Sequence, residues 1–252
     1  MTMTFSSAFR TYQMKFKVGT VEYLDTLHEN EQIVILVHGI GASNRYFWPL
    51  ANLLAESYRV IVVSLPGYGN TPKPKRALDI NQCAGVLAEF IAALSVVKPI
   101  LIGHSMGCQI VTRLAVEHSY LPSKMVLLAP TVNRYERNPL IQLGRLVQDT
   151  TRESYALNKI LLQDYMKFGL LSYLRVQKYM LNDYIENRLG ECLQPTLIVR
   201  GQNDDIVPRT WAFELSEILP QGRIAEIDSA PHAVQYSAAK KVAAICEEFI
   251  NS

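Results

Sequence analysis

Short runs of apolar, often β-branched residues recur along the chain at Ile33–Val37, Val60–Ser64, Ile100–Ile102, Met125–Leu128, Thr196–Arg200 and Ile224–Ile227. Nearly every position within them is apolar, as in parallel strands covered on both faces, rather than alternating as on a half-exposed sheet. Helix-length stretches such as Ile80–Leu94 and Gln109–His118 lie between them. Strands alternating with helices predict an α/β fold with a mostly parallel sheet and right-handed crossovers. Upstream, Tyr12–Val18 and Thr20–Thr26 flank Gly19 and predict an antiparallel hairpin at one edge. One segment breaks the rhythm. From Thr131 to Gln194 no strand is predicted, and Leu170, Tyr173, Leu174, Gln177 and Leu181 fall at helical spacing. Pro139 and Pro195 stand near its ends. The expected organisation is therefore a core made of residues 1–130 and 195–252, with a helical insertion at 131–194 that packs over the sheet.

A chain of 252 residues has room for one sizeable core. A formal net charge of +2 exerts no strong pull toward nucleic acid or anionic membrane, so neither is expected as a partner. Cys83, Cys108, Cys192 and Cys246 are too widely spaced for a paired zinc site or a C-x-x-C redox motif, and free thiols in a reducing compartment are expected. Met1–Arg10 is polar and lacks the apolar centre of a signal peptide, and no apolar run is long enough to span a bilayer. A cytoplasmic location follows by default. The proline-broken basic stretch Pro72–Arg76 reads as a solvated loop.

The chemistry centres on Gly103-His104-Ser105-Met106-Gly107, which follows one predicted strand and opens a predicted helix. A strand that turns so sharply into a helix forces its central residue into a strained conformation and needs neighbours without side chains. Ser105 then projects at the C-terminal edge of the sheet, near the positive end of the helix. A serine hydroxyl needs a base to take its proton. Of His28, His38, His104, His118 and His232, only His232 follows at a plausible distance, in the loop after the last strand. His28 reads as surface, His118 lies on the helix leaving the turn, and His38 and His104 adjoin motif glycines as loop-shaping groups. An orienting acid is expected in Gly201–Pro208, where Asp204 and Asp205 are adjacent, one facing the histidine and the other solvent. The strand Ile33–Val37 runs into His38-Gly39-Ile40-Gly41, where glycines let the backbone approach a substrate. The backbone N–H groups of Ile40 and Met106 are the expected oxyanion donors.

These segments, with Leu65-Pro66-Gly67-Tyr68-Gly69 and Pro231-His232, resemble the α/β-hydrolase superfamily in content and order. The resemblance implies an α/β-hydrolase fold, a sheet of about eight strands with the second antiparallel, and a small helical cap after the sixth. It implies Asp204, three residues after Gly201, as the acid. Three positions depart from the family pattern: Ser64 where an aspartate often stands, Cys108 where many members have a third glycine, and Pro231 in place of a glycine. Ser105 argues against dehalogenases and epoxide hydrolases, which carry aspartate at the turn. The expected activity is hydrolysis of a small or medium carboxylic ester through an acyl-enzyme, without metal or organic cofactor. Cleavage of a C–C bond of the β-diketone type, a thioester or a lactone by the same residues is the alternative, and a ligand receptor with little turnover is an alternative of another class. The substrate pocket is expected to involve His38, Gly39, Gly41, His104 and Tyr135, with the Met106 side chain a further candidate.

Overall fold

A computed structural model describes residues 5–27 and 32–252; His28 lies outside the described residues. The strands are β1 (Arg10–Phe16), β2 (Gly19–Asp25), β3 (Ile33–Val37), β4 (Arg59–Ser64), β5 (Ile100–His104), β6 (Lys124–Leu128), β7 (Thr196–Gly201) and β8 (Gly222–Ile227). They form one sheet of order β1-β2-β4-β3-β5-β6-β7-β8. β1 and β2 are the expected edge hairpin, β2 is antiparallel to both of its neighbours, and β3 to β8 run parallel. The helices are α1 (Trp48–Leu54), α2 (Ile80–Ala93), α3 (Met106–Glu117), α4 (Pro139–Thr150), α5 (Tyr155–Phe168), α6 (Leu170–Leu181), α7 (Arg209–Ile218), α8 (Val234–Ser237) and α9 (Ala239–Asn251).

The all-apolar strands follow from burial on both faces. In β3, Val34 and Leu36 enter one hydrophobic layer while Ile35 and Val37 enter the other, and β4 divides Val60 and Val62 from Ile61 and Val63 in the same way. Helices α2, α3 and α7 cover one face with Leu87, Phe90, Leu114 and Trp211. Helices α1, α8 and α9 cover the other with Leu50, Leu54, Val234 and Phe249. The edge strand β8 differs from the near-continuous apolar run expected of it: Arg223, Ile224 and Glu226 are exposed. An outermost strand has no partner along one edge and is covered only in part on its faces, and charged side chains there discourage pairing with another chain.

All four cysteines are free and buried, Cys83, Cys108 and Cys192 in the first layer and Cys246 in the second. Trp211 is buried in the core, with its indole N–H donating to Pro130 O at 3.1 Å. Between β6 and β7 the described chain is helical, with α4, α5 and α6 joined by turns. Among the described residues no helix is long and apolar enough to cross a membrane.

Candidate active site

Ser105 sits between β5 and α3 with φ 54 and ψ −117, a backbone conformation rare for a residue with a side chain. Close packing enforces the turn. A Cβ on Gly103 would lie 2.6 Å from the backbone C and O of Gly107, and one on Gly107 would collide with the carbonyl of Val37. The Ser105 N–H donates to Leu128 O at 2.9 Å, which ties the turn to the end of β6. Cys108 is packed beneath it, its thiol donating to Gly103 O and Leu128 O; burial pushes its pKa well up, as suits an unreactive core thiol.

His232 follows β8 in a loop over the same sheet edge. Its Nδ1 lies 2.8 Å from Asp204 Oδ2. The other oxygen of Asp204 accepts the N–H groups of Ile206 and Val207 at 2.9 and 3.0 Å, so the carboxylate cannot rotate freely. With Nδ1–H directed at Asp204, Nε2 is the nitrogen left to accept a proton. Burial alone would push the His232 pKa down, but the charge and hydrogen bond of Asp204, joined by the charges of Asp149 and Glu153, outweigh it and hold the value at about 9. Gly201 lets the two loops meet, because a Cβ there would strike the carbonyls of Ala230 and Pro231. Asp205 does not simply face solvent. It pairs with Arg152 at 2.7 Å and accepts from Gln148, both from the segment between β6 and β7.

The loop after β3 meets the serine turn directly: a Cβ on Gly39 would stand 3.1 Å from Ser105 Cβ. A chain of buried hydrogen bonds joins three loops here. Gly39 N–H donates to Tyr46 Oη at 2.8 Å, and Tyr46 O–H lies 2.7 Å from His104 Nδ1. His104 Nε2 lies 3.2 Å from His232 O. The partners require one tautomer, with His104 accepting from the tyrosine and donating to the carbonyl. Burial first, and the neighbouring His232 second, push the His104 pKa well down, so the ring is neutral. His38 is likewise held neutral by burial, at about 4, with Nδ1–H donating to Gly39 O and Nε2 accepting from Leu65 N–H. Tyr46 occupies the Gly39 N–H, and the next amide of this loop is that of Ile40. Met106 is the first residue of α3, where an amide has no acceptor within its own helix.

A narrow cavity of about 50 Å³ adjoins Ser105 and Ile40; its other walls are Thr131, Val132, Gln142, Leu146, Tyr173, Gln177, Met180, Leu181 and Ile206. Its lining corrects the expected pocket. Tyr135 is 69% exposed, lies against the Arg134 guanidinium and is not part of this lining. His38 and His104 are used up in the loop hydrogen bonds just described. Gly39 backs onto Ser105, and Gly41 is covered by the Tyr165 ring. The Met106 side chain is buried under Tyr68, whose hydroxyl is 3.9 Å from its sulfur. Tyr46, Asp149, Glu153 and Arg200 were not singled out by sequence. Arg200 is buried and donates to the carbonyls of Val207 and Asp204, steadying the acid loop. Among the described residues no group of three or more His, Cys, Asp or Glu side chains is placed to hold a metal ion.

The chain is 27% identical over 247 residues to the biotin biosynthesis bifunctional protein BioHC of Cellvibrio japonicus, covering 86% of this chain and 47% of that longer protein. It is 27% identical over 216 residues to a 2-hydroxy-6-oxo-6-(2'-aminophenyl)hexa-2,4-dienoic acid hydrolase of Metapseudomonas resinovorans, covering 75% of this chain and 73% of the relative. The crystal structure of the enol-lactonase from Burkholderia xenovorans LB400 superimposes with a TM-score of 0.79 at 18% identity, covering 96% of this chain and all of that one, a likeness of fold. The model of the alpha/beta hydrolase family matches residues 34–245. With that match, and with an eight-stranded, mostly parallel sheet flanked by helices, the chain belongs to the α/β hydrolase family.

Proposed function

We propose that this hydrolase cleaves a neutral carboxylic ester, open-chain or lactone, through an acyl-enzyme on Ser105. The observation that carries the reading is the strained Ser105, whose neighbour His104 bonds the loop of a histidine with its Nδ1 2.8 Å from a fixed carboxylate. His232 Nε2 takes the Ser105 proton as Oγ attacks the carbonyl carbon, and Asp204 holds the tautomer and stabilises the imidazolium. The amides of Ile40 and Met106 receive the developing negative charge; losing one such donor typically lowers turnover ~10²–10³-fold. His232 then protonates the departing alkoxide. Water, deprotonated by the same nitrogen, releases the acid and restores Ser105. These steps require only side chains, backbone amides and water, so the enzyme is assigned no cofactor, and its free thiols suit the cytoplasm.

Residues 131–194 act as a cap on a core of residues 1–130 and 195–252. The cavity of about 50 Å³ holds only a few waters, at roughly 10–15 Å³ per water centre. Substrates larger than a short acyl group therefore enter by displacement of this cap. Tyr173, Leu146, Met180 and Leu181 supply an apolar wall, and the buried Thr131 hydroxyl, unpartnered among the described residues, supplies a polar anchor. Among the described residues no cationic side chain lines the cavity. A substrate bearing a carboxylate, as the named dienoic acid relative implies, would bury that charge unpaired. This favours a neutral ester over a C–C bond hydrolase of that kind.

The test is labelling with a fluorophosphonate probe, comparing wild type with Ser105→Ala and His232→Ala, alongside turnover of p-nitrophenyl esters of graded acyl length. Labelling lost in both variants, with turnover greatest for short acyl groups, is expected. A folded wild-type protein that binds ester but neither labels nor turns over would move the assignment to a receptor on this scaffold.

A further inference from the structure

Two buried carboxylates face the histidine loop, and the steps above give them no task. Asp149, in the last turn of α4, accepts the backbone N–H of His232 at 3.0 Å. Glu153, in the turn before α5, accepts the N–H of Ala233 at 2.8 Å through one oxygen and the Ser237 hydroxyl through the other. Both side chains are almost wholly out of water, with 6% and 8% of each residue exposed. Asparagine and glutamine would accept the same N–H groups without the desolvation of a charge. What a carboxylate adds is negative charge beside an imidazole that must become an imidazolium.

We propose that Asp149 and Glu153 are positioning residues for His232: they clamp the main chain of the histidine loop and supply charge beside the ring, and they do so only while the helices of residues 131–194 are docked. The inference rests on the assignment of His232 as general base. Four groups face the ring from the elements around it: Asp204 from the loop after β7, Asp149 and Glu153 from α4 and its following turn, and His104 from the end of β5. Arg152 modulates Asp149 from the same turn. Burial raises the pKa of Asp149 and lifts that of Glu153 to about 7. Lifting the helices would remove both anchors at once and free the loop. The base is then competent only once the helices have redocked over a bound substrate, so a proton is taken from Ser105 only when substrate is shielded from bulk water.

The experiment measures the rate of Ser105 labelling by a fluorophosphonate from pH 5.5 to 10 in the full-length protein. It compares wild type, Asp149→Asn, Asp149→Ala, Glu153→Gln and Glu153→Ala, with thermal melts confirming that each is folded. The amide variants keep an acceptor but lose the charge. Their half-rise should move down by about half to one pH unit, so that the rate at pH 8, where a Glu153 titrating at about 7 is ionised, rises about two- to fivefold relative to the alkaline plateau. The alanine variants lose the acceptor too, and their plateau should fall at least about tenfold below that of the matching amide variant. Profiles and plateaus equal to wild type in all four, or losses that track only the unfolded fraction, overturn the proposal. If an alanine variant does not fold, the pH profile of its amide counterpart decides. A folded wild type that does not label removes the hydrolase reading itself, which separates the two failures.

Discussion

Tyr46→Phe removes one oxygen and leaves two buried groups without a partner. The Tyr46 hydroxyl accepts from Gly39 N–H at 2.8 Å and donates toward His104 Nδ1 at 2.7 Å. The tyrosine is 2% exposed and His104 3%, so water has no route to replace the missing atom. The phenyl ring still packs edge-on against Phe47, which confines the change to the hydroxyl. Leaving a buried donor or acceptor unsatisfied costs about 1–3 kcal/mol, so the two together are worth about 2–6 kcal/mol. For a chain of this size that lowers Tm by about 5–15 °C. The amide of Ile40 follows Gly39 directly, so loosening that loop also displaces a proposed oxyanion donor. Turnover should fall about tenfold, short of the ~10²–10³-fold expected for outright loss of a donor. Urea unfolding monitored by far-ultraviolet circular dichroism measures the first effect, and initial rates on a short p-nitrophenyl ester measure the second. A variant within about 0.5 kcal/mol of wild type, the range of an ordinary surface change, and with unaltered turnover would refute the reasoning.

Four further outcomes are expected. Because His232, as the proposed base, must be neutral to accept a proton and its pKa is held at about 9, kcat/KM should climb with pH through the range 7–9; a plateau already reached at pH 6 contradicts this. The same raised value contributes stability that is complete below the ordinary histidine pKa near 6.5 and is lost as pH rises through about 9. Glu153, raised from 4.5 to about 7, likewise contributes below 4.5 and loses up to about 3 kcal/mol by the time pH passes 7. Glu153→Gln should therefore flatten the fall of Tm between pH 4.5 and 7, as differential scanning fluorimetry would read. Gly103→Ala drives a Cβ to 2.6 Å from the Gly107 backbone, which cannot yield, and should cost about 3 kcal/mol in denaturant unfolding together with loss of labelling at Ser105. Thr131→Val should raise KM more than it lowers kcat in steady-state ester assays, since the hydroxyl lines the cavity and is proposed to bind rather than to react.

The strands were legible because burial on both faces leaves a continuous apolar run, and β8 departs from that rule because, at the edge of the sheet, its faces are covered only in part. Ser105 was legible because a strand that turns directly into a helix tolerates only glycine at positions 103 and 107. The adjacent Asp204 and Asp205 are indistinguishable by composition. One is turned inward by the amides of Ile206 and Val207, and the other is drawn to Arg152 more than fifty positions away. Asp149 and Tyr46 act through backbone atoms 83 and 7 positions distant. A carboxylate that accepts a remote main-chain N–H leaves no local pattern. Among the tyrosines of residues 131–194, Tyr173 reaches the cavity while Tyr135 faces solvent. That distinction depends on how each helix is rotated against the core, which residue type does not encode.

The distribution of the thiols makes the protein its own reporter of partial unfolding. Cys83, Cys108 and Cys192 lie on one side of the sheet and Cys246 on the other, and each is sealed by its own layer of side chains. Burial pushes Cys83 and Cys246 up to about 12 and Cys192 to about 11, so the native protein should resist alkylation at neutral pH. Once a layer opens, its thiols recover ordinary reactivity. Mass-resolved alkylation in mild denaturant would therefore time the loss of each layer separately. Modification of Cys246 alone would mean that α9 peels away while the serine turn is still intact.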